Sequence, residues 1–304
     1  MSERPKIVVV GSLNVDHTLR VPRIPAAGET LAASGAFTSF GGKGANQALA
    51  AVRAGGQVAL IGCIGDDDFG ESYLEHLRCE GIDTTGIVRA PVPTGSAFIT
   101  VDDEGENAIV VNPGANAALQ PHHLDAHASI IRSAAVLLLQ FECPLPTVLH
   151  AAGMAVAGGV PVILNPSPLS PEFLQAGLAC EALIANEHEA AALTGMKLAG
   201  LEAEPERALA ITRCRQLIIT RGGDPTLVIT AGRTLHIAPP KVTPVDTVGA
   251  GDAFAGAFAV AHASGTLLEE AVRFANAAGA LATQMVGAQA SIPGREEIAA
   301  LSRK

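Results

Sequence analysis

Short, continuously apolar runs alternate along this chain with stretches of helical spacing. The runs are Lys6–Gly11, Val58–Ile64, Ala135–Gln140, Val160–Leu164, Ala182–Ala185, Gln216–Thr220 and Thr226–Thr230. A strand with one wet face alternates apolar and polar residues; one covered on both faces does not. These runs therefore read as buried strands of a parallel sheet. Between them, residues 44–55 place Ala45, Ala48, Leu49 and Val52 on one helical face, and Gly55-Gly56 ends the helix. Further helices are expected over Phe69–Cys79, Pro146–Ala157, Glu187–Leu193, Glu206–Cys214, Gly251–Ser264, Leu268–Met285 and Glu296–Ser302. The alternation predicts an α/β chain, a mostly parallel sheet with helices on both faces.

Two segments break the rhythm. Residues 15–40 and 94–111 hold no helical pattern, and the second reads as a hairpin: SAFITV, the polar turn DDEGEN, then AIVV. They predict a small accessory sheet lying over the strand ends, where open α/β sheets bind ligands.

Composition narrows the function. At ~150 residues per domain, 304 residues make about two domains or one large α/β unit. A net charge of −10 argues against a nucleic-acid surface but permits a local anion site. With 48% hydrophobic and 16% charged residues, disorder is excluded as the main state. The longest apolar stretches are strand-sized or are Ala/Gly helices broken by polar residues, so no membrane span is expected. The opening MSERPK runs straight into a strand without a signal peptide's apolar core, which points to the cytoplasm. Cys63, Cys79, Cys143, Cys180 and Cys214 form no CxxC and are expected as reduced, small core residues.

Several motifs are absent. There is no GxxxxGK[ST] and no GxGxxG, which disfavours a P-loop NTPase or a dinucleotide enzyme. His123 and His127 have metal-ligand spacing but no third partner nearby, and read as a solvated helix face.

Chemistry concentrates elsewhere. Asp246-Thr-Val-Gly-Ala-Gly-Asp252 opens an apolar helix whose ionisable groups are Asp252 and His262. Backbone N–H groups at Gly249, Ala250 and Gly251 can face an anion, and a carboxylate beside them suits removal of a hydroxyl proton during group transfer. A plain helix-capping Asp is the competing reading. Gly41-Gly42-Lys43-Gly44-Ala45-Asn46 sets a Lys and an Asn at a loop–helix junction, suited to a polyhydroxylated ligand. After the first strand, Asn14 and Asp16 face one way and can grip neighbouring hydroxyls, although such residues also mark turns. Glu142 follows the strand ending at Gln140. Asn186 and Glu189 open a helix, where Glu189 can act on a metal–phosphate through water or simply complement the helix dipole. The backbone of Thr220-Arg221-Gly222-Gly223 can hold nucleotide phosphates.

In this order, GSLNVD, PAAGET, FGGKGANQALAA, IGCIGDDDFGE, ANEHEAAALTG and DTVGAGDAFAGAF resemble the ribokinase family of the PfkB sugar kinases, over about residues 6–298. The resemblance implies a Rossmann-like main domain over 1–14, 41–93 and 112–304, and a β lid over 15–40 and 94–111 that pairs two subunits into a homodimer. It implies ATP-dependent phosphorylation of D-ribose at O5, with Asp252 as base and Gly249, Ala250 and Gly251 as anion hole. Asn14, Asp16, Gly42, Lys43, Asn46 and Glu142, with Gly44 and Ala45 in the same loop, would bind the sugar. Asn186, Thr220, Arg221, Gly222, Gly223, Asp224, Pro225, Gly251 and Asn276 would bind ATP. Glu189 would influence Mg²⁺, and Asp246, Val248, Ala282, Met285, Gly287 and Ser291 would form a K⁺ loop. Two departures stand out. Pro225 occupies the last position of a T-x-G-x-x-G nucleotide loop and has no N–H, and Gly294, not an aromatic residue, follows Pro293. The rivals are a same-fold kinase on 2-deoxyribose, another sugar or a nucleoside, a non-catalytic sugar-binding protein, and a nicotinamide oxidoreductase, which lacks its glycine fingerprint. A nucleoside needs an apolar slot, for which Phe98 in the lid is the candidate.

Overall fold

A computed structural model describes residues 4–169, 172 and 178–303. Among these, nine strands form one sheet in the order β13-β12-β11-β10-β9-β8-β1-β4-β5. They are β1 (Lys6–Val10), β4 (Gln57–Gly65), β5 (Asp83–Ala90), β8 (Val136–Leu139), β9 (Val162–Leu164), β10 (Cys180–Asn186), β11 (Cys214–Thr220), β12 (Thr226–Thr230) and β13 (Arg233–Ile237). Pairing is parallel from β5 to β11, and β12 and β13 add antiparallel. The expected mostly parallel α/β architecture is present. Alternate residues of β1 enter opposite cores: Ile7 and Val9 pack on one face, Val8 and Val10 on the other. That two-sided burial is why the strand reads as an unbroken apolar run.

The first core is closed by α1 (Lys43–Arg53), α2 (Asp68–Cys79), α9 (Ala250–Ala263), α10 (Leu268–Ala282) and α11 (Arg295–Leu301). The second lies under α3 (Pro121–Asp125), α4 (Ala128–Arg132), α5 (Leu145–Ala157), α6 (Glu187–Thr194), α7 (Leu198–Ala203) and α8 (Pro205–Thr212). α9 is built almost wholly of Ala, Gly and Phe, and so approaches α1 closely. A Cβ on Gly256 would lie 2.5 Å from Ala50 Cβ.

A second, four-stranded sheet has the order β3-β2-β6-β7, from β2 (Asn14–Arg20), β3 (Gly35–Gly41), β6 (Gly95–Val101) and β7 (Asn107–Asn112). The hairpin turn is folded by Asp102, whose Oδ1 accepts from the N–H groups of Glu104 and Glu106.

Some expectations change. β5 and β13 were not expected: both are edge strands, half exposed, and lack an apolar run. The helix expected over 206–214 stops at Thr212, and Cys214 opens β11. Cys79 is exposed at the end of α2, so four of the five cysteines are buried. His123 lies in α3 and His127 in the turn before α4, not on one helix face.

Candidate active site

From β1 the chain crosses through α1 to β4 on one side, while β8, β9, β10 and β11 lie on the other. The carboxyl ends at that reversal form the crevice where such sheets bind ligands. Ser12 and Asn14 follow β1, Glu142 follows β8, Asn165 follows β9, Asn186 ends β10 and Thr220 ends β11.

Two helices aim their N-termini into this crevice. Asn46 and Gln47 stand near the start of α1, and Asp252 stands in the first turn of α9. Asn46 Nδ2 donates to Asp252 Oδ2 at 3.0 Å, and Gln47 Nε2 donates to Asp252 Oδ1 at 2.9 Å. Both carboxylate oxygens are thus held by amides, and the side chain is 7% exposed. Gln47 Nε2 also donates to Asn165 Oδ1 at 3.0 Å, and its Oε1 accepts from Gln140 Nε2 at 2.7 Å. α9 begins after Gly249, whose φ of 80° is left-handed. Its ladder starts with Ala253 N–H to Gly249 O at 2.8 Å, which leaves the amides of Ala250, Gly251 and Asp252 outside it; that of Ala250 reaches Thr247 O at 3.3 Å.

Asp16 lies beside Gly41, across the strand pair from Ser39. Burial first, then the charges of Glu142 and Asp252, push its carboxyl up to about 7. Asn14 Oδ1 accepts from Asn116 Nδ2 at 2.8 Å. Glu142 accepts at Oε2 from Ser12 Oγ at 2.5 Å and from the Lys43 backbone N–H at 2.9 Å. Burial favours neutral Lys43, but the carboxylates of Asp252, Glu142 and Glu189 outweigh it and raise its pKa. Gly42 has φ 90°, and a Cβ there would meet Asn14 N at 2.7 Å. Gly44 and Ala45 are not open to a ligand. Their N–H groups donate to Ser12 Oγ at 3.3 Å and to Ser12 O at 2.9 Å.

A cavity of about 460 Å³ is lined by Lys43, Asn186, Glu189, Thr220, Gly249 and Asp252, among others. It shares Thr220, Gly222, Thr247 and Gly251 with a neighbouring cavity of about 490 Å³ that reaches Arg221, Gly223, Pro240, Phe254 and Asn276. Asn276 is committed to the wall: Oδ1 accepts from Thr226 Oγ1 at 2.7 Å and Nδ2 donates to Ile237 O at 3.1 Å. Arg221 folds the 220–225 loop, donating to Glu187 Oε1 at 2.9 Å and to Pro225 O at 3.2 Å, with Asp224 at 3.7 Å. Pro225, without an N–H, serves there as an acceptor. Glu189 and Asn186 cap α6 reciprocally, at 2.8 and 2.9 Å, so the capping reading of Glu189 holds while its side chain also lines the cavity.

Behind α9, Asp246 Oδ1 accepts from Val248 N–H at 3.0 Å and Oδ2 from Gly287 N–H at 2.9 Å. This ties residues 246–248 to the loop after Ala282 that carries Met285, Gly287 and Ser291. Ser291 Oγ donates to Ala288 O at 3.1 Å.

Phe98 is misplaced for stacking on a base at Asp16. It stacks on His17, centroids 5.3 Å apart, and the alternation of β2 puts His17 and Asp16 on opposite faces. Ser12 and Gln47 lie within GSLNVD and FGGKGANQALAA without a role assigned to them there, and Asn116, Asn165 and Gln289 join the site as well.

Comparisons with known proteins agree with this geometry. Residues 4–295 match the pattern of the pfkB family carbohydrate kinases. A ribokinase of Haemophilus influenzae is 39% identical over 300 residues, 97% of each chain. A deoxyribokinase of Salmonella typhi is 34% identical over 295 residues, 96% of each. The solved structure of Arabidopsis thaliana ribokinase complexed with ribose and ATP has a TM-score of 0.89 and 32% identity, covering 99% of this chain and 100% of that one.

Proposed function

The chain belongs to the pfkB family of carbohydrate kinases, and from that premise we propose that it transfers the γ-phosphoryl group of ATP to O5 of D-ribose, giving D-ribose 5-phosphate and ADP. The observation that carries this is the place of Asp252. It is an amide-held carboxylate at a helix N-terminus, lining one of two neighbouring cavities that share Gly251 in their walls. ATP would occupy the cavity at Arg221, Gly223 and Asn276, its phosphates running past Gly222 toward Gly251. Ribose would sit among Asn14, Asp16, Lys43 and Glu142. As the O5–phosphorus bond forms, Asp252 takes the hydroxyl proton and the bond to the ADP oxygen breaks in line. Lys43 and the amides of Ala250 and Gly251 offset the charge on the moving group.

No group of three or more His, Cys, Asp or Glu side chains that could hold a metal occurs among the described residues. Glu189, in the cavity wall, is the carboxylate that would act through water on Mg²⁺ carried by phosphate oxygens. The ion would neutralise phosphate charge. The Asp246 carboxylate ties Val248 to Gly287 through their N–H groups, which supports a K⁺ loop in which Asp246 and backbone oxygens of Val248, Ala282, Met285 and Gly287, with Ser291, would hold the ion. This ion would order the loop that leads into the α9 amides.

Phe37, Ile109 and Val111 are exposed and, by strand alternation, share the Asp16 face of the small sheet. A second copy's lid is the proposed cover, making a homodimer, and light scattering reads it directly. No helix of the described residues is long and apolar enough to cross a membrane. Use of ATP and five unpaired cysteines support a cytoplasmic place.

The deoxyribokinase at 34% identity makes 2-deoxyribose the second reading. ADP release over a panel of ribose, 2-deoxyribose, other pentoses and nucleosides decides between them. Ribose must rank first by kcat/KM, and a higher rank for any other acceptor overturns the assignment.

A further inference from the structure

Gln289 lies in the loop between α10 and α11, and is 6% exposed. Its side chain reaches away from that loop into the site. Nε2 donates to Tyr73 Oη at 2.7 Å and to Asn46 Oδ1 at 3.1 Å, and Oε1 meets His76 Nε2 at 2.9 Å. Donor and acceptor roles here are determined by counting. Tyr73 has one O–H, and it donates to Gly41 O at 2.5 Å, so its oxygen can only accept from Gln289. The group of Gln289 that faces Tyr73 must then be its NH₂. The second hydrogen of that NH₂ requires an acceptor at Asn46, which turns Oδ1 of Asn46 toward Gln289 and Nδ2 toward Asp252. His76 supplies an N–H to the remaining oxygen.

We propose that Gln289 is a positioning residue for phosphoryl transfer: it fixes the Asn46 amide so that a donor, not a carbonyl, faces the Asp252 carboxylate. Without it, a half-turn of the Asn46 amide would set oxygen against oxygen and displace Asp252 from the line of the acceptor hydroxyl. Loop anchoring does not need this side chain, because Arg53 already holds the loop through the backbone carbonyls of Gln289 and Ile292 at 3.0 and 2.8 Å. The inference deepens the proposed reaction and rests on it.

The test is a double-mutant cycle on kcat/KM using Gln289→Met, which keeps the length and removes the donor, and Asn46→Ala. Gln289→Met alone is expected to lower kcat about tenfold, with the KM for ATP unchanged, as for loss of one buried hydrogen bond to the machinery. In the Asn46→Ala background the same change should cost less than about twofold, because Asn46 is the route of its effect. Equal losses in both backgrounds would overturn the proposal, since a loosened loop acts regardless of Asn46. Gln289→Glu adds a second readout. It presents an acceptor to Asn46 and drives the wrong amide orientation, so it should be slower than Gln289→Met; a Glu variant faster than the Met variant also overturns the proposal. If Gln289→Met does not fold, Tyr73→Phe reads the relay from its far end, with the same expected dependence on Asn46. Turnover by the unaltered enzyme tests the reaction separately. If another acceptor ranks first, the cycle is read on that acceptor; if none is turned over, the positioning claim falls with the reaction.

Discussion

Gly41 stands directly against the Asp16 carboxylate: a Cβ at residue 41 would lie 2.1 Å from Asp16 Oδ2. The carboxylate is therefore seated by the absence of a side chain across the strand pair. Gly41→Ala must push Asp16 out of line, and kcat/KM for ribose should fall on the order of 10–100-fold while the KM for ATP stays put. Steady-state kinetics with each substrate varied in turn checks the split.

Asp16 makes the site sensitive to pH. Burial, then Glu142 and Asp252, raise its carboxyl from 3.8 to about 7. The ionised form grips hydroxyls better, so ribose affinity should strengthen as pH rises from 6 to 8, and Asp16→Asn should flatten the profile in calorimetric titrations. Stability runs the other way. Between 3.8 and about 7 the folded chain holds a proton that the unfolded chain releases, so this group's contribution is present at low pH and lost as pH rises through 7. Asp16→Asn should therefore be more stable than the unaltered protein at pH 8, by at most about 4 kcal/mol before solvent screening, with the gap closing toward pH 5. Thermal midpoints at the two pH values give the sign.

Asn46 and Gln47 each aim an N–H at one oxygen of Asp252. Asp252→Asn places an NH₂ against one of those donors and removes the proton acceptor. Turnover should fall roughly 10²–10⁴-fold, with ATP affinity retained. Near-normal turnover in that variant would sink the role assigned to Asp252.

Gly256 lets α9 lie on α1, where a Cβ would sit 2.5 Å from Ala50 Cβ and 2.6 Å from Gln47 O. Alanine brings about 1 kcal/mol of helix propensity, while overpacking costs about 1–3 kcal/mol. The clash is with backbone as well as side chain, so the cost should win. Gly256→Ala should lower the urea midpoint, and turnover should drop with it because Gln47 moves relative to Asp252.

Much of this was legible along the chain because two-sided burial writes strands as apolar runs. β5 and β13 escaped because edge strands need apolar residues on only part of their surface. Asp252, Lys43 and Asn46 sit in glycine-rich junctions that local spacing exposes. Gln47, next to Asn46, and Asn165 and Gln289 are ordinary amides whose roles depend on distant partners, such as Gln140 for Gln47 and Asn46 for Gln289, 93 and 243 positions away. Phe98 is the lid aromatic that the sequence offers for a nucleoside base, but its register with His17 puts it on the face opposite Asp16. The Asp16 carboxyl is likewise set by its burial first and then by Glu142 and Asp252, which no neighbouring residue announces.

The crevice is assembled from segments spread between Ser12 and Gln289, each contributing one or two side chains at a strand end or helix start. Residues 12–47 carry Asn14, Asp16, Lys43 and Asn46, but the Glu142, Asn165 and Asp252 partners lie far beyond that fragment. Turnover is thus a readout of global assembly: under denaturant it should vanish with the cooperative collapse of the main sheet, and a truncated chain should regain activity only when its missing half is supplied in trans.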